Sequence, residues 1–281
     1  MIESRIFPSA SSKVLVVFYI LLVIWWVSIF IRGLQETNEN YAFSLVYGLI
    51  PLGWGLLGFL NVRQWGGFSS FIGKAVLFLS TGIFAWGIGN LIYAYYNLAL
   101  QVAIPYPSFA DAGFILLYPL SAIGVFYLSK ATGASFALRK TSGKLALLLI
   151  PTFLILLSYY LLFIVARGGE ITYDGDFLKL FLDIAFPVGS VIVATFAAIV
   201  YGLSFNYLGG FFKKPVLLIL IGFFFAYIAD FSFSYTTTTG TFFVANWVDL
   251  VYPTTFFIIS LGISLLNPKS LSNTLSEAKQ Q

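Results

Sequence analysis

The chain has 281 residues, 59% of them apolar and only 9% charged, where an ordinary soluble domain carries about 25% charged residues. Its 15 basic and 11 acidic side chains cannot clothe a globule of this size, which excludes a soluble enzyme, and the net charge of +4 does not restore a nucleic-acid-binding reading because the basic residues fall in short tracts between apolar runs. Cysteine and histidine are both absent, so thiol nucleophiles, thiolate or histidine metal sites, His-ligated haem and a Ser-His-Asp triad are excluded, and no cofactor or metal is expected.

Taken in order, the chain offers eight runs of about 20 apolar residues, the length that crosses ~30 Å of hydrocarbon. They are 14–32, 41–61, 72–97, 109–129, 145–166, 178–205, 215–236 and 246–266. Each is apolar all round, as a helix solvated by lipid must be. The first is longer than a signal-peptide core and no small-residue cleavage site follows it, so it is expected to be a mature span. Its Trp25-Trp26 pair is expected to face a neighbour, and it closes on Arg32-Gly33. The second carries Gly53, Gly55 and Gly58 and the third Gly87 and Gly89, small residues that let helices approach closely. Pro51, Pro119, Pro151, Pro187 and Pro253 lie inside spans, where each frees a carbonyl and bends its helix. After the seventh span, Thr236–Thr239 with Gly240 and Thr241 reads as a polar loop. The segment 268–281 is a polar tail, expected to be disordered and too short for an output domain.

Basic residues orient the spans. One side receives twelve of the fifteen, at the N-terminus (Arg5, Lys13), in alternate connections (Arg63, Lys74; Lys130, Arg139, Lys140, Lys144; Lys213, Lys214) and in the tail (Lys269, Lys279). The other side holds Arg32, Arg167 and Lys179. This bias predicts a multi-pass membrane protein with both termini cytoplasmic and an even number of spans.

The two halves match in register. Arg32-Gly33 and Arg167-Gly168 are 135 apart, and Pro51-Leu52-Gly53 and Pro187-Val188-Gly189 are 136 apart. Gly82, Asn90 and Tyr95 answer Gly222, Asp230 and Tyr235 at 140, while Ser108-x-x-Asp111 answers Asn246-x-x-Asp249 at 138. Gly66-Gly67 pairs with Gly209-Gly210, and Tyr118-Pro119 with Tyr252-Pro253 after a slip of about one turn. The expected fold class is therefore all-α: an eight-span bundle of two parallel four-helix repeats, 1–133 and 134–267, related by a pseudo-two-fold along the membrane normal, with ligand sites where the repeats meet.

Charge within a membrane is costly and marks function. Asp111, Asp183, Asp230 and Asp249 fall within or at the edge of spans and, like Asn90, map to the outer half. Asp111 and Asp249 also suit the first helical turn beside a Ser or Asn cap. Asp183 and Asp230 lie too deep for capping. They suit either an ion pair with Arg32 or Arg167, a hydrogen bond to Asn90 or a tyrosine, or an outward-facing pocket for a cation, an amine or protons. The candidate ligand-binding set is Asp183, Asp230, Asp249, Asn90, Asp111, Arg32 and Arg167.

The segment Pro105-Tyr-Pro107-Ser108-Phe-Ala-Asp111-Ala-Gly-Phe114-Ile-Leu-Leu-Tyr118-Pro119-Leu120 resembles the PSxADxxYLxxYPL segment of bacterial multi-span sensory regions. Those regions precede diguanylate cyclase, phosphodiesterase or histidine kinase domains. Phe114 replaces the middle tyrosine here, and Asp249-Leu-Val-Tyr252 restores the spacing in the second half. The resemblance implies a membrane input module with Pro107, Ser108, Asp111, Tyr118 and Pro119 as motif positions. The segment after the eighth span is expected to be too short for an output domain, so a stand-alone sensor-like or interaction protein of a prokaryotic inner membrane is expected, passing its signal to a separate partner. Lys130, Arg139, Lys140 and Lys144 would dock that partner or anionic lipid. The alternatives are a small cation- or proton-coupled transporter and, without His or Cys, an intramembrane lipid-acting enzyme using an Asp230/Asp249 dyad.

Overall fold

The apolar runs fold as eight helices long and apolar enough to cross a membrane. The computed structural model describes residues 10–132, 141–165, 167–170, 175–204 and 212–267. The helices are α1 (Ala10–Ile31), α2 (Asn38–Gln64), α3 (Phe71–Leu100), α4 (Ala110–Ala131), α5 (Thr141–Ser158, continued as a π-helix over Tyr159–Val165), α6 (Phe177–Ser204), α7 (Lys213–Thr238) and α8 (Val248–Leu265). No strand occurs among the described residues. Every end lies within four residues of the one read from hydropathy. Arg5, Arg139, Lys140, Gly209-Gly210, Lys269, Lys279 and the tail lie outside the described residues.

Local chemistry explains the joints. Pro51 lacks the N–H that would bond the Tyr47 carbonyl, and α2 breaks at Gly48 into Asn38–Tyr47 and Leu49–Gln64. Gly33 and Gly168 close α1 and α5 with φ of +62° and +64°, a left-handed conformation that glycine adopts without steric cost. The threonine run is a correction to the sequence reading: α7 continues to Thr238. Thr236 and Thr237 bond back to carbonyls of Ser232 and Phe233 one turn earlier, which keeps these hydroxyls inside the helix instead of opening a loop.

Packing puts α8 at the centre, with 67% of its span buried, and α5 at the edge, with 11%. The antiparallel pairs α3–α4 and α7–α8 have the most extensive contacts; α4–α6 and α8–α2 join the halves, and α1 lies on α8. Small residues set these approaches. A Cβ on Gly124 would stand 2.7 Å from Leu79 Cγ, and one on Gly262 2.7 Å from Ile219 Cγ1. Gly124 and Leu79 map onto Gly262 and Ile219 at the same offsets that relate the halves in sequence. Gly55, Gly58, Gly87 and Gly89 also sit in tight contacts, as expected, whereas a Cβ on Gly53 would meet nothing within 4 Å. The outward faces are apolar, with Val14, Ile20, Leu21, Ile24 and Phe30 of α1 all more than half exposed. Such a surface is at home in hydrocarbon, where the backbone bonds are already closed within each helix.

Candidate functional site

Two acids cap helices. Ser108 Oγ accepts from the Ala110 N–H at 3.2 Å, and the Asp111 carboxylate accepts from the Ser108 N–H at 2.6 Å. In the second half Asn246 Oδ1 accepts from the Val248 N–H at 2.9 Å, and Asp249 accepts from the Ala245 N–H at 2.6 Å. The anticipated capping arrangement is thus present at both places. Capping leaves each carboxylate spare lone pairs. Asp249 uses one for the Tyr47 hydroxyl, at a long 3.5 Å.

The two deeper acids differ. Asp183 accepts from the Tyr106 hydroxyl at 2.8 Å and stands 3.7 Å from the Arg167 guanidinium. Both members of that ion pair keep some solvent contact, 27% and 18% of their side chains, so the pair is loose and its stabilisation modest. Burial, and then the bond to Asp183, pushes the Tyr106 hydroxyl well above the ordinary tyrosine range. Asp230 has no arginine partner among the described residues. Tyr118 of α4 donates to one of its oxygens at 3.0 Å, and Tyr252 of α8 to the other at 3.1 Å. Asn90, its counterpart in the first half, is buried and donates to the Ser44 carbonyl at 2.8 Å.

These groups line one cavity of about 550 Å³. Asp111, Asp183, Asp230, Asp249, Asn90 and Arg167 all border it, six of the seven residues singled out from sequence. Arg32 is the exception. It bonds Glu39 on the surface, and Trp25 donates to the same carboxylate at 3.0 Å. Glu39 lies seven residues downstream across a tight turn, nearer than any intramembrane acid. Trp26 likewise finds a neighbour, donating to the carbonyls of Ala245 and Asn246.

The cavity sits among α3, α4, α6, α7 and α8. Exposed Ile104 and Glu170, from two connections, and Thr238, the last residue of α7, form its rim at the same end of the bundle. That end carries Arg32, Arg167 and Lys179, while the exposed Lys130 and Lys144 stand at the other. Inward, the cavity reaches Trp86, Ser190 and Tyr227 near the middles of their helices. Ser190 Oγ is buried beside Asp230 yet makes no hydrogen bond of good geometry. Among the described residues, no three acids converge as metal ligands would. A second groove, about 530 Å³, lies across the α4–α6 contact. Its lining is apolar but for the edge of Tyr118, so it has no group to orient a polar ligand.

Sequence reasoning allowed Asp230 a tyrosine partner without identifying Tyr118 and Tyr252, although Tyr118 stood in the resembling motif and Tyr252 in the matching spacing of the second half. It also missed Tyr106, Ser190 and Glu170. Ser190 was within reach, because Asp183, Phe186, Pro187 and Ser190 follow an i, i+3, i+4, i+7 stripe on α6. The Tyr118 bond was not, since it joins helices 112 residues apart in the chain. Comparison with family models, with curated proteins and with solved structures finds no match to this chain.

Proposed function

We propose that this chain is a multi-pass protein of a prokaryotic inner membrane, built from two parallel four-helix repeats, that binds a small cationic ligand from the outer side and reports it as a movement between the repeats. Three features support the architecture. Eight helices suit a bilayer, the basic residues fall twelve to three between the two ends, and helix contacts recur at the same offsets as the sequence matches. The tail and the basic end would then be cytoplasmic, where Lys130, Arg139, Lys140 and Lys144 offer a surface to a signalling partner. The likeness of Pro105–Leu120 to sensory-region segments agrees with this role.

The observation that carries the reading is Asp230. Its carboxylate is held by one tyrosine from each repeat at the floor of a cavity that reaches the surface. A cation that engages this carboxylate weakens its hold on the Tyr118 hydroxyl, whose bond joins the halves. Binding therefore favours one arrangement of the halves over another, as a population shift requires. A transporter would need a polar route onward to the opposite end. The lining stops near mid-helix, which favours binding over passage.

The absence of cysteine makes the test clean. Ser190→Cys introduces a single thiol at the floor. In right-side-out vesicles it should react with a cationic methanethiosulfonate from outside, and about tenfold more slowly with an anionic one, given a focused negative potential. A thiol that stays unmodified, or reacts only from inside, defeats the outward acidic pocket. Cation flux through reconstituted vesicles, lost in Asp230→Asn, would favour the transporter instead.

A further inference from the structure

The same cavity carries a statement about the chemistry of its ligand, and this rests on the binding role just proposed. Its border holds five carboxyl groups, at Asp111, Glu170, Asp183, Asp230 and Asp249, against two basic side chains, Arg167 and Lys179. Arg167 already stands by Asp183, and Lys179 lies in the first turn of α6, near the rim. The interior is therefore acidic, and an anionic ligand is disfavoured. The walls are aromatic. Trp86, Phe114, Tyr118, Phe186, Phe231 and Tyr252 all face the void. Trp86 is itself held among Phe114, Tyr252 and Phe256, with ring centroids 5.1, 5.6 and 4.1 Å away.

These features separate the classes of cation. A divalent metal needs converging oxygen ligands, and the acids here stand on different helices with no three together among the described residues. An alkali ion also needs a shell of oxygens converging on one point, whereas aromatic side chains are the commonest type along this wall. A ring face attracts an organic ammonium through its quadrupole, and its apolar body fills the remaining space. The floor offers hydrogen-bond acceptors. Each Asp230 oxygen receives one tyrosine, which leaves about two of its roughly four lone-pair positions open. Beside it Ser190 is buried, 4% exposed, and its hydroxyl makes no well-formed hydrogen bond. Its hydroxyl thus sets a second polar group at the floor, next to the Asp230 carboxylate. We infer that the cavity takes a protonated primary or secondary amine on an aromatic or branched apolar body, its N–H groups shared between Asp230 and Ser190. The volume of about 550 Å³ suits a molecule of that size.

The test is calorimetric titration of the full chain in lipid nanodiscs at pH 7. The probes are 2-phenylethylammonium, its N,N,N-trimethyl derivative, neutral 2-phenylethanol and sodium ion. The primary amine should bind about 30-fold more tightly than the alcohol, the worth of one charge-assisted hydrogen bond in a dry site. Asp230→Asn should erase that margin while the amide oxygen still accepts a tyrosine, and Ser190→Ala should weaken the primary amine about threefold and leave the trimethyl derivative unchanged. The wild-type comparison of amine with alcohol needs no variant at all. Equal binding of amine and alcohol, or sodium competing at equal concentration, overturns the amine inference. If Ser190→Cys still reacts from outside in that case, the acidic pocket survives and only the ligand class is lost; if it does not, both fall.

Discussion

In the first half α2 lies hard against α3. Gly48 leaves a notch that the Asn90 amide fills, so close that a Cβ there would stand 2.2 Å from Asn90 Nδ2, and that amide bonds the Ser44 carbonyl. In the second half the corresponding positions hold Ile184, half exposed on the outside, and Asp230. The α3–α4 contact shows the same contrast. Gly89 meets Gly113 backbone to backbone, while Ala229 and Val251 stand at the matching places of α7 and α8. On the periphery, α1 is pinned to the second half by Tyr19 to Thr254 at 2.7 Å and by Trp26 to the Ala245 carbonyl. Their counterparts on α5 are Leu154 and Leu161, which cannot make such bonds, and α5 packs on α6 without extensive contact to α4. One half is thus closed by small residues and amides, and the other is held open by bulk and carboxylates.

Four experiments would break or sharpen that contrast. Gly113→Val should do the most damage, because its Cβ would lie 2.6 Å from the Ala85 carbonyl oxygen, and backbone has little room to give. A loss of about 3 kcal/mol or more is expected, seen as a collapse of monodisperse yield. A valine tolerated there would mean that α3 and α4 are not locked. Exchanging the counterparts comes next. Asn90→Asp replaces a donor with an acceptor facing the Ser44 carbonyl and should cost about 2–3 kcal/mol, whereas Asp230→Asn still accepts a tyrosine and should cost under about 1 kcal/mol. Equal thermal midpoints for the two variants would remove the distinction between structural amide and functional acid.

Gly124→Ala and Gly262→Ala form the third pair. Each pushes into a branched side chain one helix away at 2.7 Å, and Gly262→Ala also meets the Pro215 carbonyl oxygen at 2.9 Å, so each should cost about 1–2 kcal/mol, with Gly262→Ala the larger and the two values agreeing to within about 1 kcal/mol. A large discrepancy in chemical unfolding would count against the shared packing of the halves. The smallest effect concerns Tyr106, outside the helices on the connection between α3 and α4. Its hydroxyl is raised above the usual value of about 10 by burial and by Asp183. Below that pH both folded and unfolded forms keep the proton. Above it the unfolded chain ionises first, so stability falls as pH rises past about 10. Thermal midpoints measured from about pH 8 to 11 should drop more steeply for the native protein than for Tyr106→Phe; parallel curves would show that Tyr106 is not held by Asp183.

How far the residues alone could be read follows from the range of the forces involved. Hydropathy over the length of one span is a local sum, and lipid solvation acts on each helix separately, so the eight helices and their ends were legible from the chain. The caps at Asp111 and Asp249 were legible too, because a cap and its acid lie within one helical turn of each other. Intramembrane charge is expensive wherever it falls, which marked Asp183 and Asp230 without any knowledge of their surroundings. Partners were another matter. Arg32 chose Glu39, Arg167 chose Asp183, and Asp230 received tyrosines from α4 and α8. Those choices depend on how the connections fold, how the helices are rotated against one another and how close glycine lets them come, and only the packed bundle decides that.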